Sequence, residues 1–436
     1  MALIRRAASA VAGGYVMSDI KVISLFPSGK VSIPPSKSLS HRAVICAGLA
    51  AVLSGGESLI ENLGDSEDIR ATLACMSALG AEFTREGGCV KAVRSEKKPR
   101  EHLMDCAESG STLRFMLPIS AALGGEFTFV GRGRLMERPL EIYERLFAEK
   151  QIFFARESSE LRLSGLLPAG EYRLPGDVSS QFVSGLLLAL PMVAGDSKII
   201  LETPLESGGY VELTLDVMHD FGIEIARPND RTYVINGGQS YRACSYNVEG
   251  DYSQAAFFLA AGALGRDVKC IGMRPKSHQG DAEIVDIIRK MGANVKWEGD
   301  ELWAEAAQLN AIDIDVREIP DLVPPLASLC ALASGTSHIT GAARLRIKES
   351  DRLDALTTGL GRLGAKITQG EDILTITGSP FLQGGAAGAQ GDHRIAMAVA
   401  VAAIKCKYPV LLNDWESVNK SYPDFWADFE GEQKDG

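Results

Sequence analysis

Eight cations recur in short polar motifs along this chain of 436 residues: Lys37, Arg42, Arg114, Arg138, Lys348, Arg352, Arg394 and Lys420. The run Pro35-Ser36-Lys37-Ser38-Leu39-Ser40-His41-Arg42 sets two of them, with three hydroxyls, at the entry of an apolar stretch that reads as a helix. A helix start has unpaired backbone N–H groups and the positive end of the peptide dipole, so it attracts anions. Lys adds a point charge, and Arg adds a planar fork that fits phosphate or carboxylate. The plain alternative is a Ser cap beside solvated bases. A P-loop is excluded, because GxxxxGK[ST] is missing.

The theme returns along the chain. Ser109-Gly110-Ser111-Thr112-Leu113-Arg114 and Ser179-Ser180-Gln181 open two more apolar stretches, and Ser207 and Tyr210 flank two glycines. Adjacent hydroxyls such as Ser179 and Ser180 exceed what one cap needs and suit a phosphate. Lys348-Glu349-Ser350-Asp351-Arg352 precedes a helix, and its two cations share a face if the helix reaches back that far. A surface ion-pair lattice is the alternative there. Asp392-His393-Arg394 opens a stretch where buried charge needs a partner or a ligand. Asp321 opens another, where it is either a cap or a chemical group. Asp321 and Glu349 are the two carboxylates without an evident local partner. Two such carboxylates among cations fit acid–base work on anionic ligands.

The whole-chain charge limits those ligands. Lys plus Arg is 45 and Asp plus Glu is 56, so the net charge is −11, with a pI near 5.2. Local cation clusters in an acidic body point to small polyanions and away from nucleic acid or an anionic membrane surface. The longest apolar run, residues 395–404, holds about ten residues, half of what a membrane span needs. Eight cysteines form no CxxC pair, and six histidines show no HxxxH or HExxH spacing. This reads as free thiols in a reducing compartment, the cytoplasm, with no protein-held metal. Residues 1–16 read as an extension, disordered or left by an upstream start, ahead of Met17; the alternative is a truncated targeting peptide.

The elements that must position these residues repeat. One phrase is an amphipathic helix ending in Gly, followed by a strand, a polar turn and a second strand. It centres on Gly80, Gly222, Gly292 and Gly364, with a weaker copy that puts Lys150 at the same phase, giving intervals of 70, 72, 70 and 72. Gly at a helix end takes the left-handed conformation that other residues resist. In counterphase, polar residues open apolar helices at Ser38, Gly110, Ser180, Asp251, Asp321 and Asp392, with intervals of 72, 70, 71, 70 and 71. Helices apolar almost all round are buried ones. The chain is therefore expected to be α/β, with six copies of a βαβ-containing unit of about 71 residues arranged as two three-copy domains or as a solenoid. The difference between Ser/Gly-rich entries in the first three copies and Asp entries in the last three favours two domains.

The motifs PSKSLSHR, SGSTLR, MERP, GDVSSQF, IPD, KESDR, GDHRIAMA and NKSYPDF, in this order over residues 20–429, resemble the 5-enolpyruvylshikimate-3-phosphate synthase family of enolpyruvyl transferases. The resemblance implies two domains of three βαβαββ repeats each, an inside-out α/β barrel with the active site in the interdomain cleft. The expected domains are 35–247, mainly the shikimate 3-phosphate side, and 17–34 plus 248–436, carrying Asp321, Glu349 and most of the phosphoenolpyruvate side. It implies transfer of the enolpyruvyl group of phosphoenolpyruvate to the 5-hydroxyl of shikimate 3-phosphate, with no cofactor and no metal, by a monomer. By position, it assigns Lys37, Ser38, Arg42, Ser179, Ser180, Gln181, Ser207, Asp321 and Lys348 to shikimate 3-phosphate. Lys37, Gly110, Arg138, Gln181, Arg352, Arg394 and Lys420 go to phosphoenolpyruvate. Asp321 stands as base, Glu349 as acid and Lys37 as the third catalytic group. Arg344 and Glu108 depart from the common family pattern. An enolpyruvyl transferase acting on UDP-N-acetylglucosamine is the near alternative, but Gly133 stands where that family carries Cys. A non-catalytic repeat scaffold is the distant one.

Overall fold

A computed structural model describes residues 20–96, 102–157 and 159–431. The expectation for residues 1–16 lies outside them. The chain divides into two compact units: residues 34–251 with 276–280, and residues 20–33, 252–275 and 281–431. Each has its own hydrophobic core.

The N-terminal unit repeats one motif. In the copy that begins at Leu103–Asp105, helix α3 (Gly110–Leu123) leads to strand Gly125–Val130, and α4 (Glu141–Glu149) leads to a hairpin, Phe153–Arg156 and Glu160–Gly165. The first two strands pair in parallel and the hairpin adds antiparallel, giving βαβαββ. The next copy runs from Gly170–Leu174 through α5 (Ser180–Ala189) and α6 (Gly208–Asp220). In the remaining copy, α1 (Lys37–Ser54) and α2 (Glu67–Ala78) come early in the chain, and Ser245–Asn247 supplies the first strand from its far end. Helices α1, α3 and α5 are buried on nearly every face, as their all-round apolar sequence requires.

The C-terminal unit is built the same way. Its buried helices are α7 (Tyr252–Ala263), α9 (Val323–Cys330) and α11 (His393–Ala403); α8 (Ile284–Lys290), α10 (Arg352–Arg362) and a terminal α12 (Phe425–Glu430) accompany them. Strand Ile20–Ile23 pairs antiparallel with Val410–Asn413 and completes a shortened three-stranded sheet. Strand Gly29–Ser32 pairs in parallel with Val268–Ile271. All six sheets are open, with three or four strands each, and none of the described ones closes into a barrel.

Local chemistry explains the repeat. Gly80, Gly222, Gly292 and Gly364 all have φ between 79° and 107°, ending their helices in the left-handed region. The weaker copy differs from expectation by one residue. Lys150 has φ −92°, and Gln151, with φ 58°, makes the left-handed turn. Pro118 sits inside α3 and cannot donate to the Arg114 carbonyl; the Tyr143 hydroxyl donates to it instead, at 2.9 Å. Tyr143 and α3 then press on α5 so closely that a Cβ at Gly185 would lie 2.3 Å from the Tyr143 hydroxyl.

Candidate functional site

Four helix entries of the N-terminal unit, those of α1, α3, α5 and α6, carry the hydroxyl-rich motifs. At α1, the cap is Ser36, which accepts from the Leu39 amide, so Ser38 lies inside the first turn. The Lys37 amide donates to Asp251 Oδ2 at 3.0 Å and its Nζ lies 2.8 Å from Asp68 Oδ2. Arg42 reaches across to the neighbouring helices. It donates to the carbonyls of Ser38 and Tyr210 and to Thr214 Oγ1, each at 2.7 Å, and to Ser184 Oγ at 3.4 Å. Burial pushes its guanidinium down to about 10, which leaves it a cation near neutral pH. At α5, Ser179 is the cap and Ser180 the first helical residue. Ser207 precedes α6 with φ 56°, left-handed without being Gly.

A second group forms in the same unit. Gln181 accepts from Arg114 at 2.7 Å through Oε1 and donates to Ser111 at 2.8 Å through Nε2. Arg114 also donates to the Pro139 carbonyl at 3.1 Å and stacks over Phe182. Gly110 opens α3 against Arg138, where a Cβ would lie 2.4 Å from the guanidinium. Arg138 follows the tight turn Leu135–Glu137, and its carbonyl accepts from Arg156 at 3.0 Å. Gly110 and Arg138, expected on the phosphoenolpyruvate side, thus belong to the unit that carries Lys37, Arg42 and the serines.

The C-terminal unit holds an ionic cluster. Arg352, only 1% exposed, donates to Asp392 Oδ2 and Glu349 Oε2 at 2.8 Å each and to Asp321 Oδ1 at 3.1 Å. Arg394 donates to Asp321 Oδ2 and to its carbonyl, both at 3.1 Å, and to Ser253 Oγ at 3.0 Å. Lys348 Nζ lies 3.9 Å from Asp321 Oδ1. Lys420 ends the turn Trp415–Lys420 and is buried. Burial alone pushes the Asp321 carboxyl up, yet Arg394, Lys348 and Arg352 more than offset it and hold it well below the ordinary carboxylate range. Burial pushes the Lys348 ammonium down despite Asp321.

Three expectations differ from what the structure shows. Glu349 does have a local partner, because Arg352 three residues on grips it, a spacing that the sequence already offered. Asp321 is paired from farther off, by Arg352 and Arg394 from 31 and 73 residues away. Lys348 and Arg352 also share no helix face, because α10 begins only at Arg352, capped by Asp351. Nor is Asp321 a cap; it lies inside the short turn Pro320–Leu322, and Leu322 holds the capping position of α9. Sequence reasoning named Asp392 only as a helix opener and missed Asp68. Asp392 caps α11 through the Arg394 amide and also anchors Arg352 and Ser350. Its signal was a charged triplet opening an apolar helix. Asp68 gave none, being one of two acids in an ordinary first turn.

Residues 27–429 match the family model of EPSP synthase (3-phosphoshikimate 1-carboxyvinyltransferase). The 3-phosphoshikimate 1-carboxyvinyltransferase of Clostridium novyi is 47% identical over 426 residues, covering 95% of this chain and 97% of the relative. That of Clostridioides difficile is 43% identical over 429 residues, with 95% and 97% covered. Among solved structures, an EPSP synthase from Acinetobacter baumannii superposes with a TM-score of 0.75 at 25% identity, covering 94% of this chain and 98% of that one. The enolpyruvyl transferase NikO from Streptomyces tendae shares the fold with the same TM-score at 19% identity, covering 94% and 96%. No helix among the described residues is long and apolar enough to cross a membrane. The chain belongs to the EPSP synthase family.

Proposed function

We propose that this chain transfers the carboxyvinyl group of phosphoenolpyruvate to the 5-hydroxyl of shikimate 3-phosphate and releases phosphate, a step toward chorismate and the aromatic amino acids. The observation that carries the reading is the cluster in which the buried Arg352 and Arg394 together hold the partly exposed Asp321 and Glu349. The helix entries at Lys37, Ser38, Ser179, Ser180 and Ser207, with Arg42 and Lys348, serve the sugar phosphate; Lys37, Gly110, Arg138, Gln181, Arg352, Arg394 and Lys420 serve phosphoenolpyruvate. The protein works as a monomer in the cytoplasm and needs no nucleic acid.

The chemistry has two halves. The 5-hydroxyl oxygen attacks C2 of phosphoenolpyruvate while C3 takes a proton, which gives a tetrahedral adduct. C3 then loses a proton, the bond from C2 to the phosphate oxygen breaks, and phosphate leaves. Asp321 takes the hydroxyl proton and passes it to the departing phosphate; Glu349, protonated once phosphoenolpyruvate displaces it from Arg352, delivers its proton to C3 and takes one back from C3 as the adduct collapses. Cations fixed before the reaction stabilise the charge that develops without reorganising.

The geometry adds an order to these events. A carboxylate held by three cations is a weak base. Arg352 and Arg394 are also the residues assigned to phosphoenolpyruvate, so its carboxylate and phosphate compete with Asp321 and Glu349 for the same N–H groups. Binding of phosphoenolpyruvate releases the two carboxylates and restores their basicity when both substrates are present. Incubation with shikimate 3-phosphate and phosphoenolpyruvate tests the reading. Phosphate and the enolpyruvyl product should appear in equal amounts, and UDP-N-acetylglucosamine should give neither. Turnover of the nucleotide sugar alone, or of neither acceptor, would refute it.

A further inference from the structure

Five residues, Lys276–Gly280, leave the C-terminal unit after Pro275, join the N-terminal unit and return at Asp281. The segment is tied down on two sides. On one side, Gln279, 6% exposed, donates from Nε2 to Glu249 Oε1 and to the Gly250 carbonyl, both at 2.8 Å. Ser277 Oγ donates to the same Glu249 oxygen at 2.5 Å and accepts from the Gln279 amide at 3.1 Å. On the other side, His278 Nδ1 lies 2.5 Å from Asp216 Oδ2 on α6. Gly280 rests against Gly209, where an added Cβ would come within 3.3 Å of the Gly280 backbone.

What the segment grips matters more than how tightly. Pro35 bridges Gly250, the Ser36 amide donates to the Glu249 carbonyl at 2.7 Å, and Asp251 accepts from the Lys37 amide. The backbone held by Gln279 is therefore the one that fixes the entry of α1, with Lys37 and Ser38. Gly209 is the second residue of α6, two past Ser207. The left-handed backbone of Ser207 is a strained conformation, and such residues persist only where their surroundings over-determine them. A strap packed on the first turn of α6 supplies that constraint. One short strap, held at one end by the Gln279 side chain, ties together two of the four helix entries that carry the hydroxyls.

We propose that Gln279 is a positioning residue for the phosphate-binding entries of α1 and α6. The ligand named in the test rests on the function proposed above; the clamp itself does not. Gln279→Glu keeps the shape and replaces the donating Nε2 with one oxygen that faces both acceptors. Titration with shikimate 3-phosphate in the absence of phosphoenolpyruvate should give a dissociation constant about tenfold weaker or more, about 1.4 kcal/mol. Turnover at saturation of both substrates should stay within about threefold. Hydrogen exchange should quicken in residues 36–40 and 207–210 and stay unchanged at the α3 entry, residues 110–114. Adding Glu249→Gln reverses the donor and should recover most of the lost affinity and protection. Gln279→Met, uncharged and of similar size, should give the same losses if the Glu variant does not fold. Unchanged affinity and exchange in a folded variant would overturn the proposal. So would a uniform rise in exchange across the N-terminal unit with affinity and turnover falling together. If the native chain fails to bind shikimate 3-phosphate, the functional reading fails, and the exchange pattern still decides the clamp.

Discussion

Arg42 in the N-terminal unit and Arg352 in the C-terminal unit are both buried guanidiniums, yet their partners differ in kind. Arg42 donates only to carbonyls and hydroxyls. Arg352 donates only to carboxylates, those of Asp321, Glu349 and Asp392. Neutral acceptors fix the first cation in place and leave its charge for a ligand. Carboxylates cancel the second, so an anion there must displace one of them. A region of the first kind holds a phosphate without changing its own protonation. A region of the second kind exchanges partners, which is what proton transfer requires. The fold is the same in both units; the difference lies in Ser or Asp at the helix entries.

The strongest test of this contrast is Asp321→Asn. It should lower turnover about 10²–10⁴-fold, the usual worth of a positioned base. The Michaelis constant for phosphoenolpyruvate should hold or fall, since Arg352 and Arg394 lose a competitor. A large rise in that constant would mean that Asp321 helps to bind the substrate and does not compete with it. Next comes Arg42→Lys, which removes a fork held by four neutral acceptors. Shikimate 3-phosphate should bind about 10–100-fold more weakly, on the scale of one or two charged hydrogen bonds, with turnover at saturation changed far less. Isothermal titration beside steady-state kinetics separates these outcomes.

A smaller effect is expected from Gly110→Ala. The added Cβ presses on the flexible end of Arg138, with the Arg114 guanidinium in ordinary contact, so the Arg138 guanidinium moves and the fold does not. The Michaelis constant for phosphoenolpyruvate should rise about tenfold. Affinity for shikimate 3-phosphate and the melting temperature should stay near native values. Equal loss of both affinities would place Gly110 differently.

A separate effect, on stability and not on binding, distinguishes the units by pH. His41, buried on α1 with its Nδ1 2.7 Å from Thr72, is pushed by burial from 6.5 down to about 3, and Lys37 and Arg42 add to the shift against Asp68. The unfolded chain therefore takes up a proton below pH 6.5 that the folded chain refuses. Stability falls with pH from about 6.5 toward 3, by about 1.4 kcal/mol per unit. Asp321 is also depressed, but its unfolded carboxyl titrates only near pH 4, so its contribution is intact above that and is lost below. Hydrogen exchange between pH 6.5 and 4.5 should loosen the N-terminal unit first, and His41→Asn should remove that slope. Equal loosening of both units would contradict the assignment.

Much of this was legible in the sequence because the signals are local. A helix entry such as residues 35–42 states its cap, its cations and its buried face within eight positions. The spacing of left-handed glycines marked the repeat, and it slipped only at Lys150, because Gln151 can be forced into the turn that Gly takes freely. What stayed hidden comes from residues far apart in the chain. Arg352 joins Asp321 from 31 residues away and Asp392 from 40, so no window of sequence shows that Asp321 and Asp392 share one guanidinium. Asp68 pairs with Lys37 across two helices and looks like any acid in a first turn. Gln279 belongs to a strap whose tertiary placement has no sequence period at all.

Glu349→Gln offers the most direct test of the division between holding and exchanging. The variant keeps the size of the side chain and leaves the helix entries of the N-terminal unit untouched. Binding of shikimate 3-phosphate, measured by titration without phosphoenolpyruvate, should stay within about threefold of the native chain, while phosphate release with both substrates should fall at least about 100-fold. Native rates of phosphate release, or binding and release lost together, would contradict the account.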